Sequence, residues 1–203
     1  MTHTNWKVES EKWKVSGKDN QPIHVKDHER IETSRLLLRR PLAGDAPAMF
    51  ERYASDPDVT TFVGWPRHRT VADTLAFLQF SDAEWDRWPG GPYLIVSRAD
   101  GRLLGSTGLG FEAPDRAVTG YVLAKDSWGQ GYATEALHAM VDLACRMGVV
   151  RLYAVCHPQH RASRRVLEKC GFTREGTWRH HAEFPNLTPG VQSDVLCYAR
   201  TPG

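Results

Sequence analysis

Residues Trp128-Gly129-Gln130-Gly131-Tyr132-Ala133-Thr134-Glu135 set two glycines between an apolar run that ends at Leu123 and a helical pattern. That pattern keeps Ala133, Leu137, Met140, Ala144 and Met147 on one stripe and stops at Gly148. A strand, a tight turn and an amphipathic helix in that order require a layered α/β arrangement, with the helix stripe laid on a sheet. A turn of this kind leaves unpaired backbone N–H groups at the positive end of the helix dipole, where phosphate binds. The glycines let the main chain approach a pyrophosphate where a Cβ would collide. Two familiar nucleotide motifs do not fit. A P-loop needs Gly-Lys-Ser/Thr, and Gly131 is followed by Tyr132-Ala133. A dinucleotide fingerprint needs Gly or Ala where Thr134 stands, and an acid where the chain has Val149-Val150-Arg151.

The flanking patterns extend the layering. Arg35–Arg40 reads as a strand stopped by Pro41. Asp45 caps a helix with Pro47 in its first turn and Met49, Phe50 and Tyr53 inward. Thr70 and Asp73 form a capping-box pattern for a second helix, with Val71, Leu75, Leu78 and Trp85 on its buried face. Tyr93–Val96 and Leu103–Phe111 are strands joined through an Asp100-Gly101 turn, and Ala117–Leu123 is another. Leu152–Cys156 is apolar on both faces, as a central strand is. A short helix over Ala162–Cys170 turns Val166, Leu167 and Cys170 inward and ends at Gly171. Strands near Phe172–Phe184 and Asp194–Arg200 complete the order βααβββαβαββ, an α/β (α+β) mixture around a mostly antiparallel sheet.

Composition narrows the function classes. The 203 residues suit one domain plus an appendage, and we divide them into an arm over 1–30 and a domain over 31–203. The arm holds few large apolar residues; its alternating Trp6-Val8 and Trp13-Val15 suit a weak docked hairpin, and its polarity suits a mobile segment equally. With 26 Lys and Arg against 24 Asp and Glu, no basic excess points to nucleic acid. No run approaches the ~20 apolar residues of a membrane span. The stretch MTHTNWKVESEKWK lacks the apolar core of a secretory signal, so a cytoplasmic protein is expected. Cys145, Cys156, Cys170 and Cys197 sit in apolar stretches without a CxxC pair and read as buried, reduced thiols. With no HExxH either, no metal is expected.

Three blocks in order, Gly120-Tyr121-Val122-Leu123, then Trp128 to Ala136, then Ala162-Ser163-Arg164-Arg165-Val166-Leu167-Glu168-Lys169-Cys170-Gly171-Phe172, resemble the GNAT superfamily of acetyl-CoA-dependent N-acetyltransferases. Within it, the chain looks most like the ribosomal-protein N-terminal acetyltransferase (RimJ/RimL-like) branch, over about Ile31 to Arg200. The resemblance implies a twisted sheet whose fourth strand, with Gly120–Leu123, splays from the fifth, Leu152–Cys156. Acetyl-CoA would lay its pantetheine in that gap against main-chain groups of Tyr121, Val122 and Leu123. Its pyrophosphate would rest on the N–H groups of Gly129, Gln130, Gly131, Tyr132, Ala133 and Thr134. Arg161, Arg164, Arg165 or Lys169 would meet remaining phosphate charge, although each alone also reads as part of a solvated helix face.

The implied reaction is attack of a neutral amine on the thioester, with Val122 N–H as oxyanion donor. Ser163 is the candidate acid or thiol-positioning group, with helix capping as its plain alternative. Glu183 is the candidate base, and Glu112 and His181 are lesser ones. His160 stands where the family usually has Asn, which puts its coenzyme contact in a different geometry. Thr119 stands where a strand acid is common, which shifts weight to Glu183 or to attack without a base. Trp65 is the candidate wall of the acceptor cleft, ahead of Trp85, Trp88 and Trp178. The expected partner is a small-molecule or peptide amine, and a homodimer is an expectation drawn from relatives. A non-catalytic acyl-CoA-binding module is the rival reading.

Overall fold

In the computed structural model, which describes residues 28–202, eight strands follow one another as β1 (Arg30–Glu32), β2 (Leu36–Arg39), β3 (Pro92–Ser97), β4 (Leu103–Ala113), β5 (Arg116–Leu123), β6 (Arg151–Cys156), β7 (Thr173–Glu183) and β8 (Gln192–Arg200). They form one sheet in the order β1-β2-β3-β4-β5-β6-β8-β7. Every neighbouring pair is antiparallel except β5–β6. The alternating Trp-Val pairs of the expected arm lie outside the described residues.

The β5–β6 pairing is short. It runs through Arg116↔Arg151, Ala117↔Leu152 and Val118↔Tyr153 and then ends, although β5 continues to Leu123 and β6 to Cys156. Each strand stays bound to its other neighbour to the end, β5 to β4 at Gly105↔Leu123 and β6 to β8 at Cys156↔Leu196. The two halves of the sheet therefore part beyond Val118 and Tyr153 and leave a wedge. Gly105 brings β4 against the end of β5 there, because a Cβ on it would lie 2.1 Å from Val122 O.

Five helices flank the sheet: α1 (Ala46–Met49), α2 (Pro57–Thr60), α3 (Val71–Arg87), α4 (Tyr132–Arg146) and α5 (Arg161–Lys169). The stripe on α4, with Leu137, Met140 and Ala144, packs with Leu36, Leu38, Ile95 and Leu152 of the sheet and Leu167 of α5. On the opposite face Met49, Tyr53, Val59 and Leu78 pack against Leu94 and Val96. Further along that face, a third cluster of Tyr153, Cys197 and Ala199, joined by Trp178, contains no helix residue. Among the described residues no helix is long and apolar enough to cross a membrane.

Several local expectations are corrected. The buried stripe of α3 is Thr74, Leu78, Ser81 and Trp85, and Leu75 is 39% exposed. The helical repeat counted back from Trp85 lands on small polar residues, which a search for apolar side chains passes over. Asp45 does not cap α1 through its side chain; it accepts Leu42 N–H and grips both Arg39 nitrogens, at 2.8 and 2.6 Å. After Met49 the chain continues as a π-turn over Phe50–Ala54. β1 was missed because Ile31 is its one apolar residue. Cys145 is exposed on the outer side of α4, while Cys156, Cys170 and Cys197 are buried free thiols as expected. Burial pushes the Cys156 and Cys170 thiols up to about 11.

Candidate active site

Main-chain groups along a strand point alternately to its two neighbours. Ala124 N–H donates to Leu104 O, and Gly120 O accepts from the Thr107 hydroxyl, so even-numbered residues at this end of β5 face β4. Tyr121 and Leu123 therefore turn their main-chain groups toward the wedge. Val122 turns its N–H toward β4, which corrects the expectation that it serves as oxyanion donor. Leu123 O is taken by the Trp128 indole N–H at 2.8 Å, so Leu123 retains its N–H for a guest in the wedge.

The glycine turn lies at the mouth of this wedge, after β5 and a 3-10 turn over Lys125–Ser127. Gly129 and Gly131 adopt φ of +74° and +81°, a conformation that strains any residue with a Cβ. Gly131 caps α4, and the helical bonds begin with Glu135 N–H to Gly131 O. The N–H groups of Tyr132, Ala133 and Thr134 are thus left without helical partners, as the turn pattern required. The Gln130 side chain points back, donating to Asp126 O at 2.8 Å, so only its main chain faces outward. Arg52 and Arg102 in turn hold the Asp126 carboxylate and keep it below its ordinary range.

The basic side chains of α5 divide by face. Lys169 lines a groove of about 700 Å³ together with Gly131 and Thr134. Arg164 sits beside the Tyr198 phenol, and its Nε is buried without a partner. Tyr198 donates to Glu168 at 3.0 Å. Arg164 therefore lies beside β8. Arg161 and Arg165 are exposed.

Ser163 is the third residue of α5, and the cap position belongs to His160, which makes no side-chain cap bond. Capping is thus excluded as the role of Ser163. Its Oγ instead lies 3.1 Å from the Tyr121 phenol oxygen, which also donates to Ser163 O at 3.0 Å. Burial raises the Tyr121 phenol far above its ordinary range, so it holds its proton. His160 stacks on Phe62 with ring centroids 4.9 Å apart, and His157 stacks on the same ring at 5.1 Å. Phe184 meets His157 edge-on at 4.9 Å. Burial lowers both imidazoles below their ordinary 6.5, with His157 adding repulsion at His160. Phe62 lies in the segment Phe62–Pro66 that the resemblance places at the acceptor wall, whereas His157 and Phe184 carry no such expectation; the recurrence of His three positions before His160 is the visible clue.

The acceptor side is framed by two loops. Asn186, after β7, donates to Thr60 O and Trp65 O at 2.8 and 2.9 Å and accepts Arg67 N–H at 2.7 Å. Trp65, half-buried and tilted against His68 at 5.0 Å, is thereby held beside the β7–β8 connection. Glu183 ends β7 and accepts Gly190 N–H through Oε1 at 2.8 Å, leaving Oε2 for another donor. Gly120 is exposed, and no atom lies within 4 Å of where its Cβ would stand.

Other candidates lie elsewhere. Thr119 is buried and donates to Gly108 O, so an acid at that position would not face the acceptor side. Glu112 accepts from Tyr153 and pairs with Arg116, at the closed end of the wedge. His181 packs edge-on to Trp178 at 4.6 Å, beside a bulge in which His180 takes φ of +47°. Trp85 donates to Pro92 O within the core, and Trp88 stacks on Phe111. Among the described residues no group of His, Cys, Asp and Glu could hold a metal ion.

A sequence profile of the acetyltransferase (GNAT) domain matches residues 35–173. The N-acetyltransferase YoaA of Bacillus subtilis (strain 168) is 30% identical over 162 residues, covering 78% of this chain and 90% of that protein. A GNAT-family acetyltransferase from Bacillus anthracis superimposes with a TM-score of 0.74 at 26% identity, covering 85% of this chain and 98% of that one. RimL, a ribosomal L7/L12 alpha-N-protein acetyltransferase solved with coenzyme A, superimposes with a TM-score of 0.76 at 24% identity over 85% of this chain and 98% of that one, a likeness of fold.

Proposed function

The chain belongs to the GNAT acetyltransferase family, and we propose that it moves an acetyl group from acetyl-CoA to a primary amine, on a protein N-terminus or a small molecule, by direct attack in a ternary complex. The observation that carries this reading is the wedge opening beyond Val118 and Tyr153 with an unpartnered helix N-terminus at its mouth. A pantetheine amide fits between strands as a strand does, and a diphosphate suits the N–H groups of Gly131 to Thr134.

In this reading, Tyr121 and Leu123 meet the pantetheine and orient the thioester. The amine arrives neutral, having given its proton to Glu183 Oε2 or to water, and attacks the acetyl carbon. The C–N bond forms, the negative charge passes through the carbonyl oxygen, the attacking nitrogen sheds its extra proton to water, and the C–S bond breaks. Leu123 N–H, the wedge-facing donor at the end of β5, replaces Val122 as the oxyanion partner. The departing thiolate takes the Ser163 hydroxyl proton, and solvent restores it. Gly120 leaves room for the acceptor, and Phe62, Trp65 and Glu183 border it. The two imidazoles beside Phe62, neutral by burial, add no charge to repel an ammonium group at the entrance.

The test is release of free thiol from acetyl-CoA with a panel of primary amines and N-terminal peptides, preceded by thermal shift with acetyl-CoA, CoA and ATP. Stabilisation by the two coenzyme forms but not ATP, followed by amine-dependent thiol release, is the expected result. Coenzyme binding with thiol release at the hydrolysis background for every acceptor would favour the non-catalytic binding module.

A further inference from the structure

Arg35, at the turn between β1 and β2, reaches across to the glycine turn from outside it. Its Nη1 donates to Gln130 O at 2.9 Å, and its guanidinium lies over the Tyr132 ring at 4.7 Å. Its Nε donates to Glu135 Oε2 and its own N–H to Glu135 Oε1, at 2.7 and 2.8 Å. Glu135 Oε1 also accepts the hydroxyls of Thr33 and Ser34, at 2.6 and 3.0 Å. Burial works to raise the Glu135 carboxyl, but these donors prevail and hold it below its ordinary range. The carboxylate is thus an anchor, fixed to the body of the sheet, that sets the direction of the guanidinium.

The C=O and N–H of one trans peptide point in opposite directions. A peptide preceding a glycine can rotate as a unit, because glycine accepts φ of either sign. Gly131, at φ of +81°, leaves the Gln130–Gly131 peptide with that freedom. By holding the carbonyl on its own side, Arg35 keeps the Gly131 N–H directed away from it, in line with the free N–H groups of the first α4 turn. Attraction of the diphosphate by its charge is a poor alternative, since Glu135 neutralises the guanidinium at 2.7 Å.

We propose that Arg35 is a positioning residue for the coenzyme diphosphate, acting through the Gln130 carbonyl to present Gly131 N–H as an anion donor. This rests on the acetyl-CoA reading above. It makes the β1–β2 turn, remote in sequence from the coenzyme blocks, part of the coenzyme site.

The experiment is titration calorimetry with CoA on the wild type, Arg35→Lys, Arg35→Met and Glu135→Gln, with Tm measured without ligand. Loss of a charge-assisted, oriented hydrogen bond predicts about a tenfold rise in Kd for Arg35→Met. Arg35→Lys is expected to follow it, because an ammonium lacks the fork that spans Glu135 and Gln130. Glu135→Gln keeps the acceptor and shows a smaller rise, which preserves the test if an Arg35 variant fails to fold. With an amine that turns over, the KM for acetyl-CoA rises while kcat and the acceptor KM hold. Unchanged Kd in the folded Arg35 variants, full affinity in Arg35→Lys, or a kcat loss matching the KM change would overturn the proposal. A wild type silent toward CoA would overturn the acetyltransferase reading itself.

Discussion

The Tyr121 phenol and the Ser163 hydroxyl lie 3.1 Å apart, linking β5 to α5 across the wedge. The phenol also donates to Ser163 O, and its burial keeps it protonated. Because the phenol's one proton goes to Ser163 O, the Ser163 hydroxyl is the donor in the contact between them, and in the proposed reaction it turns from the phenol oxygen to the departing thiolate. Ser163→Ala is expected to lower kcat by about a hundredfold, the range of a lost general acid, with CoA affinity unchanged. Tyr121→Phe is expected to lower it less, and the double variant to match Ser163→Ala alone, because the two act as one unit. Steady-state kinetics and CoA calorimetry on the three variants check this; additive losses would refute it.

Gly120 offers a probe of the acceptor side that leaves the fold alone. Its Cβ position is empty and its φ is not positive, so Gly120→Val introduces a strand-favouring residue without a clash. Tm is expected to hold or rise, while the acceptor KM rises most for bulky amines. A matching loss of CoA affinity would show that this position faces the coenzyme instead.

Asn186 bonds to three main-chain groups on the Thr60–Arg67 segment. Asn186→Ala leaves those groups short of partners, which costs about 1–3 kcal/mol when they are shielded from water. Urea unfolding measures that loss. The acceptor KM is expected to rise as Trp65 loses its anchor, with the KM for acetyl-CoA unaffected.

His157 and His160 have folded pKa values below the ordinary 6.5, from burial at both and, second, from repulsion by His157 at His160. The unfolded chain therefore binds more protons as pH falls through 6.5, and the folded state loses stability from there down through the folded values. Above 6.5 both states are neutral and this contribution is fully present. Denaturation midpoints between pH 5 and 7 are expected to fall on the acid side, and His160→Asn to flatten the slope. An unchanged slope in that variant would remove His160 as the source.

Most of the element order, the α4 stripe and the glycine turn are legible because each rests on local periodicity or on residues with special backbone freedom. The splay itself carries no local mark: Leu152–Cys156 reads as any central strand, and only the pairing register shows that it leaves β5 after Tyr153. Asp45 shows a related limit: its position suggests a helix cap, and its carboxylate is claimed by Arg39 of β2, six positions back. Arg35, near the start of the recognisable domain, reads as an ordinary strand residue because its partners lie about a hundred positions away.

Exposed sheet borders ordinarily sit at the periphery, where they invite stray chains and must be blunted by charge or proline. Here the unsatisfied border is internal, flanked by two halves that are stitched together at its closed end. No second protein strand can slide in broadside. What remains is a slot open at one end, suited to a slender, amide-bearing guest, so the same parting that exposes the backbone also limits what can answer it.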